Sequence, residues 1–282
     1  MPSLPPDTEG LHAIANTTRN DRVADIVFVH GLGGSSHKTW RHGEEGTRDH
    51  FFWPEELGKE LPQCGMWSVG YPAGFTAFGN PGMVIGQRGL SLADELRVNG
   101  VGSTRPLLFV THSMGGLVVK ALIDGCHCHV LPQMEQLVLS VKGIAFCGTP
   151  HFGSSFASAA ERLSYYFAWA AQEHVREMEV NAKGLELLHY RFMGWLRSHP
   201  AQIHCFAESV ELGKKSNWFS RMLPIGVVVP THSAVISGLP FSIIDQDHIQ
   251  LVKPCHRHSH IYLGVREFIL RTLPDVVAQP SN

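Results

Sequence analysis

The segment Leu107–Val119 reads L-L-F-V-T-H-S-M-G-G-L-V-V, an apolar β-rich run that passes through a serine into a run of helical character. A turn from strand to helix within so few residues strains the backbone at Ser113 and lifts its hydroxyl above the end of a sheet. Such a bend tolerates only small neighbours two positions to either side. Gly115 supplies one of them, whereas Thr111 stands where the pattern G-x-S-x-G has its first glycine. The branched threonine has to be fitted by its surroundings. The amides that open the following helix point at the same place and favour an oxyanion there.

A serine hydroxyl becomes a nucleophile only when a base takes its proton, and the base needs a carboxylate to orient it. The chain holds eighteen histidines. His248 is the expected base, because it lies in the polar loop D-Q-D-H between the last strand-like segment and the final helix. His30, His112 and His151 sit within other motifs, and His151 suits a supporting or substrate-lining part. His232, His256, His258 and His260 read as surface or loop residues. For the acid, Glu208 ends the β-like run I-H-C-F-A-E and is preferred. Asp245 is the alternative, and Asp247 is suited to holding a turn.

A glycine-rich turn, H-G-L-G-G at His30–Gly34, follows the strand-like D-I-V-F-V. It has neither the spacing nor the Lys-Ser/Thr pair of a phosphate loop. Glycines let the backbone approach the nucleophile, so the Leu32 and Met114 N–H groups are expected to form an oxyanion hole.

These residues need a frame. Apolar runs at Asp25–Val29, Met66–Tyr71, Pro106–Thr111, Val141–Cys147, Ile203–Glu208 and Gly226–Val229 alternate with helical patterns at Pro54–Leu61, Leu90–Val98, Gly115–Asp124 and Ile261–Leu273. Such alternation predicts an α/β fold with a mostly parallel sheet covered on both faces. Between Cys147 and Ile203, apolar residues recur at helical spacing: first Phe156, Ala160, Leu163, Phe167 and Ala170, then Leu185, Leu188, Phe192, Trp195 and Leu196. The expected organisation is one domain over residues 1–282 with a helical cap inserted between about 153 and 200. Trp40, Phe152 and Tyr166 are candidate substrate-binding residues, Tyr166 from the cap.

Composition narrows the remaining classes. The 282 residues are 44% hydrophobic and 17% charged, enough for a large core, and 23 basic against 25 acidic residues provide no uniform field for nucleic acid. No signal peptide or membrane-length apolar run is seen, so a cytoplasmic chain is expected, with peripheral membrane contact left open. The six cysteines are expected as thiols. The C-H-C-H string at Cys126–His129 lacks metal-site spacing, and no metal or cofactor is expected. Oligomeric state is not legible.

D-I-V-F-V-H-G-L-G-G, T-H-S-M-G-G-L-V-V-K and F-C-G-T-P-H-F-G-S together resemble α/β-hydrolase lipases and esterases, in particular the serine-active-site-containing lipase-like proteins related to GPI inositol deacylases. K-T-W at Lys38–Trp40, F-W-P-E-E-L at Phe52–Leu57, F-A-E at Phe206–Glu208 and D-H-I-Q-L-V-K-P at Asp247–Pro254 extend the likeness over roughly residues 10 to 272. The resemblance implies an α/β-hydrolase fold, a Ser-His-Glu triad in the chain order Ser113, Glu208, His248, and lipid or other ester substrates. It also implies, for some relatives, service as the effector domain of a larger immune-receptor-like protein. The alternative is an inactive module that uses the fold to bind a lipid or protein partner, and thioester or amide cleavage would use the same residues.

Overall fold

The computed structural model describes residues 6–73, 81–127, 132–152, 158–159, 161–162, 182–212 and 226–276. Seven strands form one sheet: β1 (Gly10–Ala15), β2 (Ala24–Val29), β5 (Cys64–Gly70), β6 (Leu107–His112), β7 (Val141–Cys147), β8 (Gln202–Glu208) and β9 (Phe241–Ile244). Their order is β1-β5-β2-β6-β7-β8-β9. Every pairing is parallel except β1 with β5. A two-residue ribbon, β3 (Arg41–His42) with β4 (Phe51–Phe52), stands apart.

Helices cover both faces: α1 (Trp53–Glu60), α2 (Pro81–Val98), α3 (Met114–His127), α4 (Pro132–Ser140), α5 (Ala182–Ser198), the single turn α6 (Thr231–Ala234) and α7 (His260–Thr272). The central strands read as unbroken apolar runs because alternate residues serve opposite cores. Phe109 of β6 and Val27 and Val29 of β2 join the core beneath α2, α3 and α5. Leu108, Val110, Ile26 and Phe28 join the other, with Leu57 of α1 and Phe268 of α7. α1 carries the expected start signals, a proline in its first turn with Glu55 and Glu56 beside it.

Two expectations need correction. Gly226–Val229 is not a strand; Val228 and Val229 are fully buried in a loop, so their apolar character reflects burial rather than pairing. The strand beyond β8 is β9 instead. The helix expected from Leu90 begins at Pro81. Gly89, which weakens the local signal, is a contact point: a Cβ there would lie 2.5 Å from the Leu122 amide of α3. Edge strand β1 and helix α4 are elements the sequence reading did not anticipate. The second amphipathic set forms α5, with Leu185, Leu188, Phe192 and Trp195 buried. The residues of the first set, Phe156, Ala160, Leu163, Phe167 and Ala170, lie outside the described residues.

Candidate active site

Ser113 lies between the end of β6 and the first residue of α3, with φ at +52°. That left-handed conformation is uncommon for a residue with a side chain and costs on the order of 1–3 kcal/mol. Its N–H donates to the Cys147 carbonyl at 2.8 Å, and its carbonyl accepts from Gly116 N–H at 3.1 Å. Gly115 must be glycine here, because a Cβ would stand 2.2 Å from the Val29 carbonyl oxygen. Thr111 is accommodated by its neighbour strand: the side chain is fully buried and its hydroxyl donates to Ala145 O at 3.2 Å. The departure from the glycine pattern is thus satisfied by a hydrogen bond rather than by space.

The glycine-rich turn reaches the serine from β2. A Cβ on Gly31 would lie 2.6 Å from Ser113 Cβ and 3.3 Å from its Oγ, so the two backbones are in direct contact. Gly33 N–H donates to Ala73 O at 2.8 Å and Gly34 N–H to Gly31 O at 3.1 Å, while Leu32 N–H makes no backbone bond among the described residues. Met114 opens α3, where amides lack an intrahelical acceptor. The turn is anchored through His30, whose ring stacks on Tyr71 at 4.1 Å and whose carbonyl accepts the Tyr71 hydroxyl. Burial pushes the His30 imidazole down to about 4, so this support is uncharged at neutral pH.

His248 and Glu208 meet in the buried region beside this turn. Nδ1 of His248 donates to Glu208 Oε2 at 2.5 Å, and the other carboxylate oxygen accepts Val229 N–H at 2.8 Å. Both side chains are fully buried or nearly so. Nε2 of His248 is buried and has no hydrogen-bond partner among the described residues. A nitrogen left in that condition costs free energy unless something is to bind it. His112, immediately before Ser113, donates from Nε2 to the His248 carbonyl at 2.9 Å, and the two rings lie 4.8 Å apart. Burial, then the neighbouring His248, hold the His112 imidazole well below its ordinary value. The base loop is therefore tied to the residue that precedes the serine.

A cavity of about 140 Å³ opens beside the pair, with Leu32, Ile249 and Val252 as its apolar wall, Lys38 and Lys253 among its polar lining, and His248 facing it. Asp247 holds the turn, accepting the amides of Ile249 and Gln250 at 3.0 and 2.9 Å. Asp245 lines a separate cleft with His256 and His260. Trp40 has no exposed surface and packs against Phe28 and Trp53 in the core, so it does not line the cavity. Phe152 is 37% exposed beside His189, and Tyr166 lies outside the described residues. His232, His256, His258 and His260 are exposed. Among the described residues no cluster of His, Cys, Asp or Glu could hold a metal, and no helix is long and apolar enough to cross a membrane.

Two residues packed around these elements carry no signal in the sequence. Val229, whose amide seats Glu208, reads only as part of an apolar run. Lys120 is wholly buried on α3 against His151, and no local pattern in the sequence marks it.

No family model matches the chain. Protein SERAC1 of Danio rerio is 30% identical over 265 residues, 87% of this chain and 38% of the relative. The Homo sapiens protein of the same name is 27% identical over 266 residues, 89% of this chain and 39% of the relative. The chain thus spans under two-fifths of the length of these curated relatives. Among solved structures, Bacillus licheniformis lipase BlEst2 in its mature form superposes with a TM-score of 0.57 at 18% identity, covering 93% of this chain and 99% of that one. The chain has the α/β-hydrolase fold, and most of its length is similar to one portion of Protein SERAC1.

Proposed function

We propose that this chain is a serine hydrolase of carboxylic esters. Ser113 attacks the ester carbonyl while His248 Nε2 takes its proton, and Glu208 fixes the tautomer and balances the imidazolium that forms. The Leu32 and Met114 amides hold the tetrahedral oxyanion. His248 then returns the proton to the leaving alcohol, and water, deprotonated by the same nitrogen, releases the acyl group from Ser113. The carrying observation is the buried His248–Glu208 pair at 2.5 Å, whose second imidazole nitrogen is unpartnered in the region of an elbow serine.

Apolar walls at Leu32, Ile249 and Val252 suit an acyl or alkyl group, with Phe152 and, from the expected cap, Tyr166 as further candidate contacts. No residue of the mechanism needs a metal or cofactor. The apolar walls, and the fold shared with a bacterial lipase, support a lipid or related ester as substrate; work as one domain of a longer protein is part of the same reading. An effector role in a larger immune-receptor-like protein, and a cytoplasmic setting, extend the same reading. The test is turnover of short-chain p-nitrophenyl esters by the wild type and by Ser113→Ala. Loss in the variant supports the reading, and equal rates contradict it.

A further inference from the structure

Lys120 is a buried cation of the nucleophile helix that the proposed chemistry leaves unused. It has no exposed surface. Its Nζ donates to Nδ1 of His151 at 2.8 Å and to Nδ1 of His189 at 3.1 Å. The faces of Phe146 and Phe192 lie 5.7 and 5.2 Å away. Cys205 of β8 faces the same space, with its sulfur 3.8 Å from His151 Nε2. No carboxylate pairs with the amine among the described residues; Asp124, one turn further along α3, pairs with Arg191 at 3.1 Å. Burying a lysine with imidazoles alone is expensive and calls for a reason.

The reason lies in what His151 terminates. The loop from Cys147 to His151 touches the site at three points. The Cys147 carbonyl accepts the Ser113 amide at 2.8 Å. Gly148, with φ at +58°, lies against the acid–base pair, since a Cβ there would be 3.1 Å from both Glu208 Oε2 and His248 Nδ1. Thr149 abuts α3, its Oγ1 standing 2.3 Å from where a Gly116 Cβ would be. The far end is fixed by His151, whose amide donates to Ser233 O at 3.0 Å and whose ring accepts the Lys120 amine. Lys120 lies about two turns beyond Ser113 on the same helix. Helix, loop and triad therefore form a closed circuit with Lys120 and His151 as its clasp.

We propose that Lys120 is a positioning residue: its bonds to His151 and His189 hold the Cys147–His151 loop and α5 on the nucleophile helix, and so set the His248–Glu208 pair in register with Ser113. The proposal rests on the hydrolase reading. Both imidazoles act as uncharged acceptors, His189 being lowered to about 4 and His151 well below its usual value, in each case by burial and then by the amine.

The test is Lys120→Met, which keeps an unbranched apolar stem of nearly the same length and removes both N–H bonds, assayed on p-nitrophenyl esters with hydrogen exchange followed at the His151 amide. The expected result is a fall in kcat of about tenfold, KM within twofold, faster exchange at His151, and no loss in the midpoint of chemical unfolding. An unchanged kcat, or a fall matched by a lower unfolding midpoint, would overturn it. His151→Leu severs the same link from the loop and is expected to reproduce the fall; wild-type kcat in that variant counts against the proposal. If the wild type turns over no ester, the hydrolase reading fails and exchange alone decides. Loosening at His151 in Lys120→Met then supports the clasp, and unchanged protection overturns it.

Discussion

Glu208→Gln is the substitution whose outcome the geometry constrains most tightly. The native carboxylate accepts on both oxygens, from His248 Nδ1 at 2.5 Å and from Val229 N–H at 2.8 Å. An amide can accept on one side only. If its oxygen faces Val229, its NH₂ faces Nδ1, which must then accept, and the imidazole proton moves to Nε2, the nitrogen that has to take the proton of Ser113. If the amide is reversed, two donors confront each other at Val229 in a site with no exposed surface. An unmade buried hydrogen bond costs about 1–3 kcal/mol, so the first arrangement is favoured and the base is disabled. In serine-protease triads the equivalent change lowers kcat by about 10⁴ with the geometry intact, or about 5.5 kcal/mol of transition-state stabilisation. The same order is expected here in steady-state hydrolysis of a p-nitrophenyl ester, with KM little changed, while Asp245→Asn retains most of the activity. A Glu208→Gln enzyme within tenfold of wild type, alongside a crippled Asp245→Asn, would refute the assignment of the acid.

Gly31→Ala drives a methyl group to 2.6 Å from Ser113 Cβ, so the oxyanion turn must retreat; kcat is expected to fall by about 10²–10³ with modest loss in urea-unfolding free energy. Trp40→Ala empties a fully buried site in the core, and denaturant titration should read a loss of about 3–5 kcal/mol. Lys120 gives a pH signature. Burial lowers its amine from 10.5 to about 7, so between those values the unfolded chain binds the extra proton. Its contribution to stability therefore rises with pH across that window, by something on the order of 4–5 kcal/mol. Subtracting the stability–pH curve of Lys120→Met from that of the wild type should leave this rise, freed from other titrating groups. A flat difference would contradict the depressed amine.

The parts of the fold that were legible in the sequence are those whose residues answer to local rules. β6 through α3 reads correctly because a strand buried on both faces is continuously apolar and the bend after it needs Gly115. α1 reads because Pro54 and two glutamates mark a helix start. Glu208 and His248 were selectable because each stands where a strand or loop ends, and the structure brings them together. What escaped depends on partners distant in the chain. Gly89 weakens a helix signal in isolation and makes helix contact in the fold. Val228 and Val229 have the composition of a strand yet serve as a buried loop behind Glu208. Trp40, next to the glycine-rich turn in sequence, points into the core with Phe28 and Trp53. Lys120 shows the limit most clearly, because no local pattern reveals a cation whose partners lie 31 and 69 residues away.

The proposed chemistry stands or falls on activation of the Ser113 hydroxyl for attack. Reaction of the folded wild-type protein with a fluorophosphonate, followed by mass spectrometry of the peptide that carries the added phosphonyl group, tests it most directly. Stoichiometric labelling at Ser113 is expected, slowed severely in His248→Ala and abolished in Ser113→Ala. A properly folded wild type that stays unlabelled, or one that carries the label on a different side chain, would contradict it.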